Sequence, residues 1–301
     1  MDLIFLGTPA FAVPTLEQIV SAGHRVLLVV TQPDRPAASA VKRAALRLGM
    51  GIFQPERIRR PEAVERLAAV RVRAMVLVGY GQIIPQSVID LAPLGILNVH
   101  ASLLPKYRGA APVQWAIVNG EATTGVTTMR IDAGLDTGDI LLQTETPIAP
   151  DETAPQLSER LAVMGARLLV ESLAGLENGS LVPKKQDDSK ASLAPILKKE
   201  DGRIDWNLPA TAIHNRIRGL QPWPGAFTRF RGATLILWRS RLAPPQPGAP
   251  GQLRRAGGSL FVSSGSRTAL ELLEVQLEGR KKMPAADFAN GQRLAENEVF
   301  V

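Results

Sequence analysis

The sequence predicts an α/β protein: helices packed on a mostly parallel, doubly wound sheet, followed by a small β-barrel. Three observations carry that prediction. Through residue 179 short β-branched runs alternate with segments of helical period. From residue 180 to 203 the chain turns polar, charged and proline-punctuated, and beyond it strand-like segments return between turns.

In the first part, DLIFL (2–6), HRVLLVVT (24–31), MGIFQ (50–54), AMVLVGY (74–80), GILNVH (95–100), TGVTTMRI (124–131) and ILLQTETP (140–147) read as strands. Most are nearly continuous in apolar character, as strands buried on both faces are. Between them, VPTLEQIVSAG places Val13, Leu16, Ile19 and Val20 on one helical face, with Gly23 as the C-terminal stop. SAVKRAALRLG, PEAVERLAAV and APQLSERLAVMGARLLVESLAGL behave in the same way. Strands alternating with helices predict the doubly wound arrangement. The predicted division is a first domain at 1–179, a linker at 180–203 and a second domain at 204–301. In that second domain AFTRFRG, TLILWRSRL, SLFVSS and TALELLEVQL supply the strands, with APPQPGAPG as a turn.

Composition excludes several functions. No apolar run approaches the ~20 residues that cross a bilayer, and MDLIFLGTP lacks a basic segment ahead of a long apolar one, so a cytoplasmic location is expected. Zero cysteines exclude disulfides, thiolate catalysis and Cys-ligated metal centres, and the three histidines show no HExxH-like spacing. No metal site is expected.

The net charge of +7 is unevenly distributed. Residues 1–180 carry 16 Lys and Arg against 17 Asp and Glu, whereas residues 181–301 carry 19 against 11. Between Trp206 and Leu270 stand nine arginines and no acidic residue. A solvated surface normally mixes signs, so a stretch of this length points to a polyanionic partner.

In an open α/β sheet, ligands collect beyond the carboxyl ends of the strands. That rule singles out His100 at the end of GILNVH, with Asn98 two positions earlier on the same strand face. By itself His100 reads equally well as a buried histidine bonded to backbone. DAGLDTGD (132–139), directly after the next strand, brings three aspartates. It lacks the spacing and terminal glutamate of a calcium loop; instead, one carboxylate can fold against the imidazole, favouring its protonated form and fixing its tautomer. GTPAFAVP (7–14) sits where a phosphate loop would but has neither GxGxxG nor GxxxxGK[ST], and reads as the start of a helix. GYGQIIPQSVI (79–89), with Gln82, Ile83 and Ile84, reads as either an ordinary turn or one wall of a pocket for a flat aromatic ligand.

NVHASLLPKYRGAAP together with GLDTGD resembles the formyltransferases that use 10-formyltetrahydrofolate. FLGTPAFAVP, VVTQPDRPA, KKEDGRIDW, LQPWPGAFT and EGRKKMPAADFANG resemble the members of that family that act on methionyl-tRNA, so the likeness spans nearly the whole chain. It implies a Rossmann-like catalytic domain followed by an OB-like barrel that binds tRNA. The implied reaction moves the formyl group of 10-formyltetrahydrofolate to the α-amino group of methionine on initiator methionyl-tRNA, without metal or nicotinamide.

Matched residue by residue, Asn98, His100 and Asp136 form the implied catalytic set, and Ser102, Leu103, Leu104 and Pro105 the folate-contacting segment, with Gln82, Ile83 and Ile84 as the facing wall. Arg35, Arg216, Arg218, Arg229, Arg231 and Arg239 are the candidate tRNA contacts, and the family implies a monomer. One departure stands out. Family members usually carry a Gly-, Arg- and Lys-rich loop after VVTQPDRPA that reaches toward the acceptor end of the tRNA; here DRPAASAVKR joins the flanking segments directly, which removes that contact from what the resemblance implies. Two other readings remain: a folate-dependent formyltransferase for a sugar nucleotide or other small amine, which the acid-free arginine stretch disfavours, and a non-catalytic RNA-binding protein, which the intact Asn, His and Asp set disfavours.

Overall fold

The computed structural model describes residues 1–295 and 298–301. They form two compact units, one of Met1–Pro112, Thr123–Pro147 and Ser158–Ala194, the other of Val113–Ala122, Ile148–Leu157 and Pro195–Val301.

Up to residue 194 the elements in chain order are β1 (Asp2–Gly7), α1 (Val13–Ser21), β2 (Arg25–Val30), α2 (Ala40–Arg47), β3 (Ile52–Phe53), α3 (Pro61–Ala68), β4 (Ala74–Val78), α4 (Gln86–Ile89), β5 (Ile96–His100), α5 (Pro112–Val118), β6 (Thr123–Arg130), β7 (Ile140–Pro147) and α6 (Ala154–Glu177). The seven strands make one sheet in the order β3-β2-β1-β4-β5-β6-β7. β1 pairs in parallel with both β2 and β4, so the strand order reverses direction there, as in a doubly wound fold. Leu3, Ile4, Phe5 and Leu6 are wholly buried, which is why β1 reads as an unbroken apolar run.

The helices begin and end where the sequence provides for it. Pro14 occupies the first turn of α1, where a missing N–H costs nothing. The Ser39 hydroxyl caps α2 by accepting from the Lys42 amide at 3.0 Å. β6 and β7 run antiparallel at one edge of the sheet. β7 therefore keeps only part of its length buried, and its Gln143, Thr144 and Glu145 lie on a side that no further strand covers.

The segment from Ser180 onward is not a free tether. Lys184 exchanges two backbone hydrogen bonds with Ile140, each 2.8 Å, and Arg108 exchanges bonds with Ser192 and Ala194 at 2.8 and 2.7 Å. Residues 180–194 are in this way part of the first unit.

From Pro195 on, the second unit contains α7 (Ala210–Gly219), β8 (Ala226–Phe230), β9 (Ala233–Ala243), β10 (Leu253–Ala256), β11 (Ser259–Ser264), β12 (Thr268–Leu277), β13 (Met283–Pro284) and α8 (Ala285–Gly291). Its antiparallel sheet runs β10-β11-β12-β9-β8, with β13 beside β12. The chain end closes it: Arg229 on β8 exchanges backbone bonds with Val301, while Leu253 on β10 donates to the Glu298 carbonyl. Closure removes the open edges that an antiparallel sheet otherwise exposes. Trp206, Phe230, Phe288 and Phe300 cluster at its core, with Phe230 edge-on to Phe288 at 5.0 Å between ring centroids. β10, β13, α7 and α8 were not among the elements the sequence predicted. Ile213 and Ile217, four residues apart and fully or almost fully buried, hold α7 against the core.

Candidate active site

β5 runs buried from end to end, and its last residues deliver Asn98 and His100, each only 5–6% exposed, at the carboxyl edge of the sheet. Among the described residues the Asn98 side chain makes no hydrogen bond. Asn98 is not one of the sealed polar groups left without a partner, which are Thr15 Oγ1, Tyr80 Oη and Arg130 Nε among the described residues, so its amide keeps a small opening to solvent through which it can bond a ligand. His100 is anchored: Nε2 lies 2.9 Å from the Tyr107 carbonyl. A carbonyl only accepts, so Nε2 carries the proton and donates, and Nδ1 is the ring atom left for chemistry.

Nδ1 faces Asp136, whose Oδ2 stands 3.6 Å away. The register makes this approach unexpected. In the antiparallel pairing of β5 with β6, Arg130 lies opposite Leu97, three residues before His100, so the chain leaves β6 at the wrong end. The connecting loop then doubles back. Arg130 donates its amide to the Asp139 carbonyl at 2.9 Å, and Asp132 pins the turn by accepting from the Gly134 amide and the Thr137 hydroxyl at 3.0 and 2.8 Å. Of the three aspartates, Asp132 shapes the loop and Asp136 reaches the histidine. The Asp136 backbone has φ of 51°, a left-handed conformation that a non-glycine residue adopts only when its surroundings impose it.

Several groups impose it. Gly109 donates its amide to Asp136 Oδ2 at 2.9 Å. Gln186 donates both of its side-chain N–H groups, to the carbonyls of Asp136 and Gly138, each at 2.8 Å. Gly109 itself has φ of 118°, and a Cβ there would stand 2.7 Å from the Ala194 carbonyl oxygen, so only glycine fits the position.

The SLLP segment turns beneath the histidine. Ser102 is fully buried and donates from its hydroxyl to the Lys106 carbonyl at 2.7 Å, while Leu104 is buried and Leu103 and Pro105 half-buried. Thr127, opposite His100 in the sheet, ties the turn together: its hydroxyl donates to the Ser102 carbonyl at 2.7 Å and accepts from the Leu104 amide at 3.1 Å and from Gln143 at 2.9 Å. In the segment expected to form the folate wall, the Gln82 amide oxygen accepts from the Ile58 backbone at 2.8 Å and its nitrogen lies 3.3 Å from Gln32 Oε1, so this side chain is spent on shaping the loops. Ile84 belongs to the core, whereas Ile83 is 92% exposed. The structure thus brings Asn98, His100, Asp136 and SLLP together, whereas the side-chain bonds of Gln82 run to Ile58, Gln32, Pro55 and Glu56. Arg108, Thr127, Gln143, Gln186 and Ser192 were missed by sequence reasoning; the arginine inside KYRG was its one available signal.

With this geometry in view, comparison with known proteins is decisive. A formyl transferase family model matches residues 1–173, and a formyl transferase C-terminal domain model matches residues 196–293. A methionyl-tRNA formyltransferase of Solibacter usitatus is 68% identical over 306 positions, covering 99% of this chain and 98% of the relative. The chain belongs to the methionyl-tRNA formyltransferase family. A second family member, from Koribacter versatilis, is 59% identical over 97% of this chain and 96% of its own. The crystal structure of an N-formyltransferase from Helicobacter canadensis, in complex with folinic acid and dTDP-3-aminofucose, shares the fold with a TM-score of 0.69 at 20% identity, over 90% of this chain and 98% of that one.

In this formyltransferase the candidate tRNA arginines differ sharply in freedom. Arg218 is buried, donating to the Ala149 and Glu152 carbonyls at 3.3 and 2.9 Å and to Asn215 at 3.0 Å. Arg231 pairs with Glu298, its Nε 2.5 Å from Oε1. Arg216 donates to the Asp201 carbonyl at 2.9 Å and Arg229 to the Gly232 carbonyl at 3.1 Å. Among the described residues, Arg35 and Arg239 are exposed and make neither hydrogen bond nor ion pair. Likewise, no group of three or more His, Asp or Glu side chains is placed to hold a metal, and no helix is long and apolar enough to cross a membrane, among the described residues.

Proposed function

We propose that the protein transfers the formyl group of 10-formyltetrahydrofolate to the α-amino group of methionine on initiator methionyl-tRNA, and that Asn98, His100 and Asp136 carry the chemistry. The observation that supports it most is an amide that no protein group among the described residues bonds, beside an imidazole whose free nitrogen faces a carboxylate, at the end of β5. That the Helicobacter canadensis neighbour is in complex with folinic acid supports a folate as the formyl donor.

The methionine amine attacks as a neutral nucleophile, placing its lone pair on the formyl carbon. The C=O π electrons move to oxygen, and a tetrahedral oxyanion forms. The Asn98 NH2 group, which no protein group among the described residues occupies, donates to this oxygen as charge develops on it. His100, with Nε2–H held by the Tyr107 carbonyl, turns Nδ1 toward the same region, where the Asp136 carboxylate stands 3.6 Å from it. The amine proton then passes by way of Asp136 or a water to N10, the C–N10 bond breaks, and the leaving nitrogen departs as a neutral amine.

Arg239 and Arg35 are the proposed phosphate contacts with most freedom to act, since Arg218 and Arg231 are already committed within the protein and Arg216 and Arg229 each donate to a backbone carbonyl. Phosphate contacts supply affinity and positioning rather than sequence readout. The reading also carries a cytoplasmic location and a monomer.

Incubating the protein with 10-formyltetrahydrofolate and either charged initiator tRNA or a nucleotide-linked amino sugar decides the acceptor. Formylation of the methionyl-tRNA alone is expected. Formylation of the amino sugar alone overturns the acceptor assignment, and near-native turnover in both folded Asn98→Ala and folded His100→Ala overturns the assigned roles.

A further inference from the structure

We propose that Arg108 and Gln186 are positioning residues that set where the Asp136 carboxylate stands relative to the His100 imidazole. The inference rests on the formyl-transfer reading above, and draws a segment that the sequence presents as a linker into the working of the site.

Gln186 is oriented from behind. Arg108 is 7% exposed, and its guanidinium donates from Nε at 3.0 Å and from Nη2 at 2.7 Å to Gln186 Oε1. An amide oxygen held by two charge-assisted donors cannot exchange places with its nitrogen. Nε2 therefore must point the other way, and both of its protons go to the carbonyls of Asp136 and Gly138. Those two carbonyls bracket the turn in which Asp136 adopts its left-handed backbone. Gly109, the residue next to Arg108, takes the carboxylate itself.

Two neighbouring residues of the KYRG segment thus hold Asp136 at opposite ends, one through Gln186 at the backbone and one directly at Oδ2. The same segment supplies the Tyr107 carbonyl that fixes His100 Nε2. Imidazole and carboxylate are referenced to one short stretch of chain, residues 107–109, which is in turn fastened by Ser192: its hydroxyl accepts from the Tyr107 amide at 2.9 Å and its carbonyl from the Arg108 amide at 2.8 Å. Arg108 also reaches Asp188 at 2.7 Å, but that carboxylate is 82% exposed, and surface pairs of this kind contribute little. The bidentate bond to Gln186 is what the buried guanidinium is there to make.

The test compares Gln186→Leu, which removes every polar contact, with Gln186→Glu, which keeps an acceptor for Arg108 but has no protons for the two carbonyls. Both are expected to lower kcat about 10- to 100-fold, since a displacement near 1 Å costs that much, with KM for both substrates changed less than twofold. In an Asp136→Asn background, Gln186→Leu is expected to add less than twofold, because the residue it positions is already lost. Independently of activity, the Gly109 amide resonance moves in Gln186→Leu, reporting the altered bond to Asp136 Oδ2; that readout survives even if the wild-type protein formylates no methionyl-tRNA, which would overturn the function and not the positioning. Arg108→Lys, unable to make the planar bidentate contact, falls between wild type and Gln186→Leu in kcat. A Gln186→Leu protein with a lower melting temperature but wild-type kcat per folded molecule, a Gly109 resonance that stays in place, or a full multiplicative loss in the Asp136→Asn background overturns the proposal.

Discussion

Replacing Asn98 with leucine separates what this amide does for catalysis from what it costs the fold. The side chain is 5% exposed on a strand buried at every position, and no protein group among the described residues bonds to it. The amide keeps a small opening to solvent, so no large penalty is waiting to be relieved, and leucine of similar size fills the same space. The melting temperature of Asn98→Leu is expected to stay within roughly 2 to 4 °C of wild type, the shift that about 1 kcal/mol produces in a unit of this size. Formyl transfer does not stay level: losing one donor to an oxyanion lowers turnover about 100- to 1,000-fold. Thermal unfolding followed by circular dichroism and single-turnover formylation, on the same preparation, read both effects. A variant that melts well below that range shows that the amide is bonded within the free protein. One that keeps more than a tenth of wild-type turnover shows that it does not bind the oxyanion. Either result refutes the assignment of Asn98.

Three further outcomes are expected. Gly109→Ala places a Cβ 2.7 Å from the Ala194 carbonyl oxygen at a φ of 118°, so it should lower the melting temperature and reduce turnover together, through the amide that holds Asp136. Burial holds His214 below the ordinary histidine value of ~6.5, against the Pro150 carbonyl and Asp151, which pull upward, and with Arg218 acting in the same direction as burial. The unfolded chain therefore binds the proton first, and the contribution of neutral His214 to stability is present above ~6.5 and lost as pH falls through the window below it. Folded His214→Gln should accordingly lose less melting temperature than wild type between about pH 7 and pH 5, and an equal loss would remove His214 from the acid response. Finally, binding of initiator tRNA should weaken steeply with salt, and Arg239→Ala should flatten the log–log slope by about 0.7 to 0.9 if that side chain contacts one phosphate. Arg218→Ala should instead lower stability, because its donors serve backbone carbonyls.

How much of this was legible in the sequence depends on the range over which each feature is decided. β1 is central and wholly buried, so its apolar run marks it directly, and α2 announces itself through Ser39 and its period; such elements are fixed by neighbours a few residues away. α7 is not predicted although Ile213 and Ile217 have helical spacing, because two large apolar residues in ten, set among His214, Asn215, Arg216 and Arg218, are too few to mark a face. Asn98 and His100 were legible as a pair, since strand geometry alone puts alternate residues on one face.

The third member of the site illustrates the opposite case. No periodicity says that the loop after β6 doubles back over three residues of sheet, and the register of β5 with β6 taken alone puts Asp136 at the far end. What returns it is a set of bonds spanning 27 to 50 residues: Gly109 to its carboxylate and Gln186 to its carbonyl. Each donor lies in a stretch whose composition suggests something else, a turn in one case and a tether in the other. Long-range polar contacts of this kind leave no trace in hydropathy, because an arginine or glutamine that fixes an active-site loop and one that faces solvent look alike in sequence. They differ in burial: Arg108 is 7% exposed, and a guanidinium is withdrawn from water only where its donors are satisfied. The candidate site is therefore written in two registers, Asn98 and His100, which can be read from strand position, and the residues that hold the loop beside them, which become visible only when the chain is folded.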